Sequence, residues 1–127
     1  MRAIDTNVLV RLLVRDEPDQ VGAAEEFTAP GAWVSHLVLA ETVWVLDSVY
    51  ERGPEQIATA LEMILNHKSI TLQDSETVLA ALGEYRRQLA VGFTDLLILE
   101  VARKAGHLPL GTFDRALAEL DDVVRLK

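Results

Sequence analysis

The sequence predicts an α/β fold with a mainly parallel sheet. Short segments with strand-like patterns are followed, along the whole chain, by longer segments with helical periodicity, and this order is typical of repeated βαβ units. Proline and glycine stand between the segments and mark their boundaries. Because the chain has 127 residues, half of them hydrophobic and a quarter charged, we expect a single domain over residues 1–127 with its own core.

The first half of the chain has clear boundaries between its elements. The segment after Asp5 carries an apolar stripe at helical spacing, and Pro18 suits the first position of the next helix. Ser35 is a good N-cap for a third helix. Gly53 is typical of the end of that helix, and Pro54 is typical of the start of a fourth. These signals predict strands at residues 2–4, 32–34 and 69–72, and helices at residues 6–15, 18–27, 37–51 and 54–66.

The second half of the chain continues the same alternation. Asp74 opens a helix, Gly92 begins a turn that leads into another, and Gly106 ends that one. These signals predict helices at residues 74–90, 95–106 and 115–120, and strands at residues 108–111 and 123–126.

Composition excludes several classes of protein. Cysteine is absent, which excludes a disulfide framework and a thiolate metal site and agrees with a cytoplasmic location. The apolar runs are too short to span a bilayer, and the opening MRAIDTNVLV is unlike a signal peptide. A net charge of −8 is the wrong sign for a broad nucleic-acid-binding surface and favours a basic protein partner. It does not exclude a nuclease, because a bound metal inverts the local potential.

Four acidic residues are the candidate site: Asp5, Glu41, Asp95 and Asp114. Each lies in or beside an apolar segment, at the end of a predicted strand or in the first turns of a predicted helix. In parallel sheets ligands bind at the carboxyl ends of the strands, so all four residues are expected at one edge. Converging carboxylates are oxygen ligands for a hard cation such as Mg²⁺. The pattern therefore points to metal-assisted chemistry on phosphate esters.

Each of these carboxylates also has a purely structural interpretation. Asp5 suits an N-cap, and Asp95 suits a first helical turn, where the macrodipole favours acids. Asp114 is a first-turn acid if Thr112 caps the short helix. Glu41 has the apolar Leu37 and Val45 as helical neighbours, so its structural alternatives are a buried ion pair and a position at the edge of the apolar helix face. For three further aromatic residues the core is the expected location and an interface is the alternative: Trp33, Trp44 and Tyr50.

Four segments resemble the motifs of the PIN-domain family, and specifically those of its VapC-type ribonuclease toxins. AIDTNVLVRLLV is similar to the family's first strand and first acidic motif, and LVLAETVWVL is similar to the region of its helical Glu. GFTDLLILEVARKAG and LPLGTFDRAL resemble its third and fourth acidic motifs. The segments occur in the family's order and span nearly the whole chain. Thr94 is a mild departure, since many relatives carry a small residue there.

The resemblance implies a three-layer α/β/α sandwich, PIN-like, with a mainly parallel central sheet. It also implies a Mg²⁺- or Mn²⁺-dependent endoribonuclease, the toxin of a toxin–antitoxin pair, with a VapB-like antitoxin as partner and a homodimer as assembly. The catalytic and metal-binding residues that it implies are Asp5, Glu41, Asp95 and Asp114, and the supporting polar residues are Thr6, Asn7 and Thr112.

Other functions remain open from the sequence. A PIN-like nuclease outside a toxin system, or a Mg²⁺-dependent phosphohydrolase, needs the same acids. A non-catalytic binding module is the third alternative. A Ser-His-Asp triad and a Walker A motif are not found. The pairs Arg86-Arg87 and Arg103-Lys104 are expected on solvated helix faces.

Overall fold

The computed structural model describes residues 1–88 and 90–127. The chain divides into two compact units, Met1–Ser75 and Glu76–Lys127. All strand pairs of the described residues are parallel, so the predicted α/β class with a parallel sheet is confirmed. Within these residues no helix has both the length and the apolar character to cross a membrane.

The first unit contains a three-stranded sheet in the order β1-β2-β3. Arg2 of β1 pairs with Ala32 of β2, and Ala32 pairs with Ile70 of β3. A pair of helices connects each strand to the next, as parallel strands require a crossover. The elements are β1 (Arg2–Ala3), α1 (Thr6–Val14), α2 (Pro18–Thr28), β2 (Ala32–Val34), α3 (His36–Ser48), α4 (Pro54–Leu65) and β3 (Ile70–Leu72).

Local signals in the sequence explain where these helices begin. The Ser35 Oγ accepts a hydrogen bond of 3.1 Å from the Val38 N–H, so Ser35 is the N-cap of α3. Pro18 and Pro54 open α2 and α4, where a missing N–H costs nothing. The Gln56 side chain accepts from the Gly53 N–H and closes the first turn of α4.

The core of the first unit lies against one face of its sheet. Alternate strand residues are buried on this face, because side chains in a strand point to opposite sides in turn. Helix α1 packs against α2 and α3. The buried residues of the strands and of three helices include Ala32, Val34, Ile70, Leu72, Leu9, Leu39 and Leu61.

The two tryptophans are not in this core. Trp33 lies on the other face of the sheet and is 38% exposed, and Trp44 lies on the outer face of α3 and is 64% exposed. The expectation that both are core residues is therefore wrong. Tyr50 is half-buried. Its hydroxyl accepts a hydrogen bond from Arg11 Nη1 of α1 (3.0 Å) and donates one to Asp16 Oδ2 (3.4 Å). It connects the ends of two helices through polar contacts.

The second unit contains two helices and a two-stranded parallel sheet. Its elements are α5 (Ser75–Arg87), α6 (Phe93–Ala105), β4 (Leu110–Thr112), a short 3₁₀ helix (Leu117–Glu119) and β5 (Val123–Arg125). Thr112 pairs with Arg125. Tyr85 and Phe93 meet edge to face, with ring centroids 5.9 Å apart, a favourable aromatic geometry. The core also includes Val78, Ala81, Leu96 and Leu99.

The observed elements follow the predicted ones closely. Helix α3 ends at Ser48 rather than near residue 51, and the predicted last helix is reduced to a 3₁₀ turn. Helix α5 ends at Arg87, whereas the prediction extended it to about residue 90. Leu89, inside that predicted extension, lies outside the described residues.

One charged residue of α6 has a structural role that the sequence did not indicate. Arg103 donates through Nη1 to Glu100 (2.7 Å), through Nε to Asp122 (3.1 Å) and through Nη2 to the Asp121 carbonyl (2.8 Å). These bonds tie α6 to the turn before β5. The expectation that Arg103 lies on a solvated face is therefore wrong, because its guanidinium is engaged by three oxygens.

Candidate functional site

Asp95 and Asp114 lie near each other in the second unit. Asp95 is the third residue of α6, after the N-cap Gly92, and is half-buried. Asp114 follows β4 by two residues and is exposed. Both residues therefore stand where a strand has ended or a helix has just begun, as predicted.

The electrostatics of this pair are unfavourable in the absence of a cation. Burial raises the pKa of Asp95 above its ordinary value, and the negative charge of Asp114 raises it further. Both effects penalise the ionised carboxylate. Two carboxylates that repel each other in this way form a site that gains from a bound positive charge.

Hydrogen bonds hold Asp114 in place. Its N–H donates to the Thr112 Oγ1 (3.0 Å), and its Oδ1 accepts from the Leu117 N–H (2.9 Å). Asp114 thus accepts from the first N–H of the 3₁₀ turn, whose N-cap is Ala116 and not Thr112 as the sequence had suggested. Thr112 instead supports the backbone of Asp114, so it contacts the acid that it was predicted to support.

Asp5 occupies the corresponding place in the first unit. It follows β1 and is the N-cap of α1, where its Oδ1 accepts from the Val8 N–H at 3.1 Å. The structural interpretation of Asp5 is therefore confirmed. The hydrogen bond to Val8 uses one oxygen of the Asp5 carboxylate, so the second oxygen is available to another ligand. Thr6 is half-buried, and Asn7 is exposed on the same first turn.

Glu41 lies in different surroundings from those expected. It is exposed on α3, and its neighbour Leu37 is 78% exposed. The apolar residues around it therefore form an outward face of the helix and not a core stripe. The expectation of a costly buried charge is wrong for Glu41, and so is the alternative of a buried ion pair.

The structure thus brings together Asp95 and Asp114 in one unit, while Asp5 and Glu41 belong to the other. In the described part of the chain, no three or more His, Cys, Asp or Glu side chains are grouped so as to hold a metal ion. The set of four acidic ligands stays a prediction.

A comparison with models of protein families gives a match to the PIN domain over residues 3–123. The chain belongs to the PIN domain family. PIN domains are generally nucleases that use divalent metal ions. Comparison with curated proteins and with solved structures found no match.

The acid pair of this PIN domain has the chemistry that a divalent metal needs. Carboxylate oxygens are hard ligands of the kind that Mg²⁺ and Mn²⁺ prefer. A cation would offset both causes of the raised Asp95 pKa, because it compensates for lost solvation and screens the charge of Asp114. Asp95 and Asp114 therefore fit a metal site.

A groove of about 930 Å³ in the first unit of this PIN domain is a separate feature. Residues from α1, α2, α4 and the start of β3 line it, and neither Asp5 nor Glu41 is among them. It lies at the end of the sheet where β3 begins, whereas Asp5 follows the end of β1. The groove therefore does not bear on the acid chemistry.

Sequence analysis did not single out Arg125, which lies beside Thr112 in the sheet. Arg125 of β5 pairs with Thr112 of β4, and it is exposed. Its place follows from the strand register, which short strands of three residues do not reveal in advance. The available signal was the order of two predicted strands joined by one short helical connection, which is typical of neighbouring parallel strands.

Proposed function

We propose that the protein is a metal-dependent endoribonuclease that hydrolyses RNA phosphodiester bonds. The observation that carries the proposal is the Asp95–Asp114 pair, in which the burial of Asp95 and the repulsion between the two carboxylates favour a divalent cation. Its context supports the proposal, because the PIN family match includes both residues. We propose Mg²⁺ or Mn²⁺ as the cofactor, with Asp5, Glu41, Asp95 and Asp114 as the residues that hold it.

The mechanism divides the work among residues of this chain. When bound, the metal supplies positive charge for the phosphoryl oxygens and activates water. Asp95 and Asp114 supply ligand oxygens. Thr112 and the Leu117 N–H fix the backbone and one oxygen of Asp114, so its other oxygen has a defined direction. Thr6 and Asn7, next to Asp5, are proposed to hydrogen-bond the site or the substrate.

We further propose that the enzyme is the toxin of a toxin–antitoxin pair in the cytoplasm. The net charge of −8 favours a basic antitoxin. An antitoxin Arg would form charge-assisted hydrogen bonds with the carboxylates. It would then compete with the metal and inhibit the enzyme. A homodimer is the proposed assembly, and the exposed Leu37 and Trp44 on α3 are available to an interface.

The test is cleavage of a mixed cellular RNA pool by purified protein with Mg²⁺, with Mn²⁺ and with EDTA. Asp5→Asn and Asp95→Asn are each expected to abolish metal-dependent cutting. Asp47→Asn and Glu119→Gln are matched controls, because both acids are exposed and lie outside the proposed site. Cutting that survives both site substitutions would contradict the proposal. Activity on a phosphomonoester, with none on RNA, would favour a phosphohydrolase.

A further inference from the structure

Beside the acid pair stands the aromatic residue Phe113, which is 72% exposed. A single exposed apolar side chain is ordinary. Phe113 differs because it lies directly between Thr112 and Asp114, which the proposed site uses. An aromatic ring that faces solvent next to such a carboxylate is available to a substrate that approaches it.

Cations lie at the same edge of the second unit's sheet. Arg125 pairs with Thr112 across adjacent strands, which are separated by about 4.8 Å in parallel sheets. Arg115 follows Asp114 directly. Both arginines are exposed, and neither side chain takes part in a hydrogen bond or ion pair with another of the described residues. Their charges are therefore free to meet a phosphate.

The opposite edge of the same sheet carries carboxylates close to an arginine. Asp121 and Asp122 precede β5, and Asp122 is already engaged by Arg103. Since β4 and β5 are parallel, their carboxyl ends meet at one edge, where Thr112, Phe113 and Arg125 lie. Within an acidic chain, this edge combines cations with an exposed ring, the combination by which proteins hold unpaired nucleic acid.

We propose that Phe113 and Arg125, with Arg115, form the substrate-binding surface beside the acid pair. Phe113 stacks on an unpaired base of the RNA, and the arginines contact the phosphates next to it. The inference rests on the proposed ribonuclease function, and it assigns the residues that position the strand. Stacking needs the face of a base to be free, so a single-stranded segment is the substrate for this surface.

The experiment measures binding of a labelled single-stranded RNA of about 12 nucleotides, in EDTA so that it is not cut. Phe113→Ala and Phe113→Leu are each expected to weaken binding about tenfold, while Phe113→Trp retains it. Leu79→Ala, at an exposed apolar residue of α5, is the matched control and is expected to bind as the wild type. A 2-aminopurine base in the RNA reports stacking directly, because stacking on the Phe113 ring should quench its fluorescence. Excitation of this base alone avoids any signal from the tryptophans.

The contribution of Arg125 is measured by the dependence of affinity on salt. Arg125→Ala is expected to reduce the slope of log affinity against log salt by about 0.7, the value for one phosphate contact on a single strand. Arg87→Ala, at an exposed arginine paired with Glu84, is expected to leave the slope unchanged. An equal slope for Arg125→Ala and the wild type would remove Arg125 from the surface.

The outcomes separate this inference from the proposed function. If the wild type cuts RNA in a metal-dependent way but Phe113→Ala binds and cuts equally well, the binding surface is wrong and the nuclease stands. If the wild type neither binds nor cuts RNA, both proposals fail. Binding to double-stranded RNA that loses as much affinity with Phe113→Ala would also overturn the stacking role.

Discussion

Asp95 illustrates how a single side chain links stability to function. Its pKa is raised by burial and by Asp114, so the ionised form costs the folded state free energy. An acid with a raised folded pKa stabilises the fold at pH values below its unfolded pKa of about 3.9. That stabilisation is lost as the pH rises through the folded pKa. The same group that is proposed to bind a metal at neutral pH is thus a source of instability when no cation is bound.

Asp95→Asn tests this account of stability. In EDTA, the free energy of unfolding of the wild type minus that of the variant is expected to fall as the pH rises from acidic values to neutrality. The variant removes the charge and keeps the shape, so the difference isolates one titration. Urea unfolding at a series of pH values is the measurement. Asp47→Asn, at an exposed acid, serves as control and should show a flat difference. An Asp95→Asn difference that is equally flat would contradict the raised pKa.

Thr112 provides a second prediction at the scale of one side chain. Thr112→Val removes the oxygen that accepts from the Asp114 N–H and is expected to lower the rate of RNA cleavage about tenfold, the effect typical of groups that orient a ligand. Thr112→Ser keeps the oxygen and should retain most activity. Thr71→Val, at an exposed threonine of β3, is the control. Equal rates for the Val and Ser variants would remove Thr112 from the site.

The residue scale is also where prediction from sequence was weakest. The capping by Asp5 was foreseen as an alternative, because Asp is a favoured residue at a helix N-terminus. The exposure of Glu41 and Trp44 was not foreseen. Both lie in a helix that is apolar on several faces, so periodicity does not tell which face meets the sheet. Tertiary packing decides which face of the helix is buried, and the sequence of one segment alone does not predict that packing.

At the scale of elements, strands and helices were largely predictable because their boundaries are chemical. Pro18, Gly53 and Pro54 limit the helices through their backbone geometry, and Ser35 does so through a hydrogen bond. The end of α3 was harder to predict, since Val49 and Tyr50 extend the apolar pattern beyond the last helical turn. The pairing of β4 with β5 was also hidden, because strands of three residues carry little register information.

Arg103 gives a prediction at this scale, since it connects α6 to the turn before β5. Arg103→Ala is expected to lower the free energy of unfolding by about 1–2 kcal/mol, because three oxygens lose a charged donor. Arg103→Lys should recover little, since one ammonium cannot reproduce three fixed guanidinium contacts. Chemical unfolding measures both.

The control for Arg103 is Arg87→Ala. Arg87 is exposed at the end of α5 and pairs with Glu84 one turn away. Pairs of this kind are worth about 0.5 kcal/mol or less. A loss for Arg103→Ala no greater than that for Arg87→Ala would show that the connection between α6 and the turn does not matter for stability.

For the whole molecule, net charge and the proposed metal binding are coupled. A net charge of −8 works against compaction, and a divalent cation bound at the carboxylates would relieve part of this repulsion. Mg²⁺ or Mn²⁺ is expected to raise the melting temperature by about 10 °C, since a ligand at a hundredfold excess over its dissociation constant stabilises by about 2.7 kcal/mol. Differential scanning fluorimetry with an external dye measures the shift.

The same measurement on variants tells specific binding from a general salt effect. Asp95→Asn should lose most of the shift, and Asp47→Asn should keep it. A melting temperature that does not respond to either metal in the wild type would count against the metal site. Equal shifts in wild type and Asp95→Asn would mean that the ions act on the overall charge and not at the pair.

The location of the two tryptophans allows the unfolding of one unit to be followed by intrinsic fluorescence. Trp33 and Trp44 are the only tryptophans of the sequence, and both belong to the unit Met1–Ser75. Their emission during unfolding therefore follows that unit, whereas circular dichroism follows the helices of both. Coincident transitions would mean that the two units unfold as one cooperative structure. Separate transitions would mean that the unit with Asp5 and Glu41 and the unit with Asp95 and Asp114 have different stabilities.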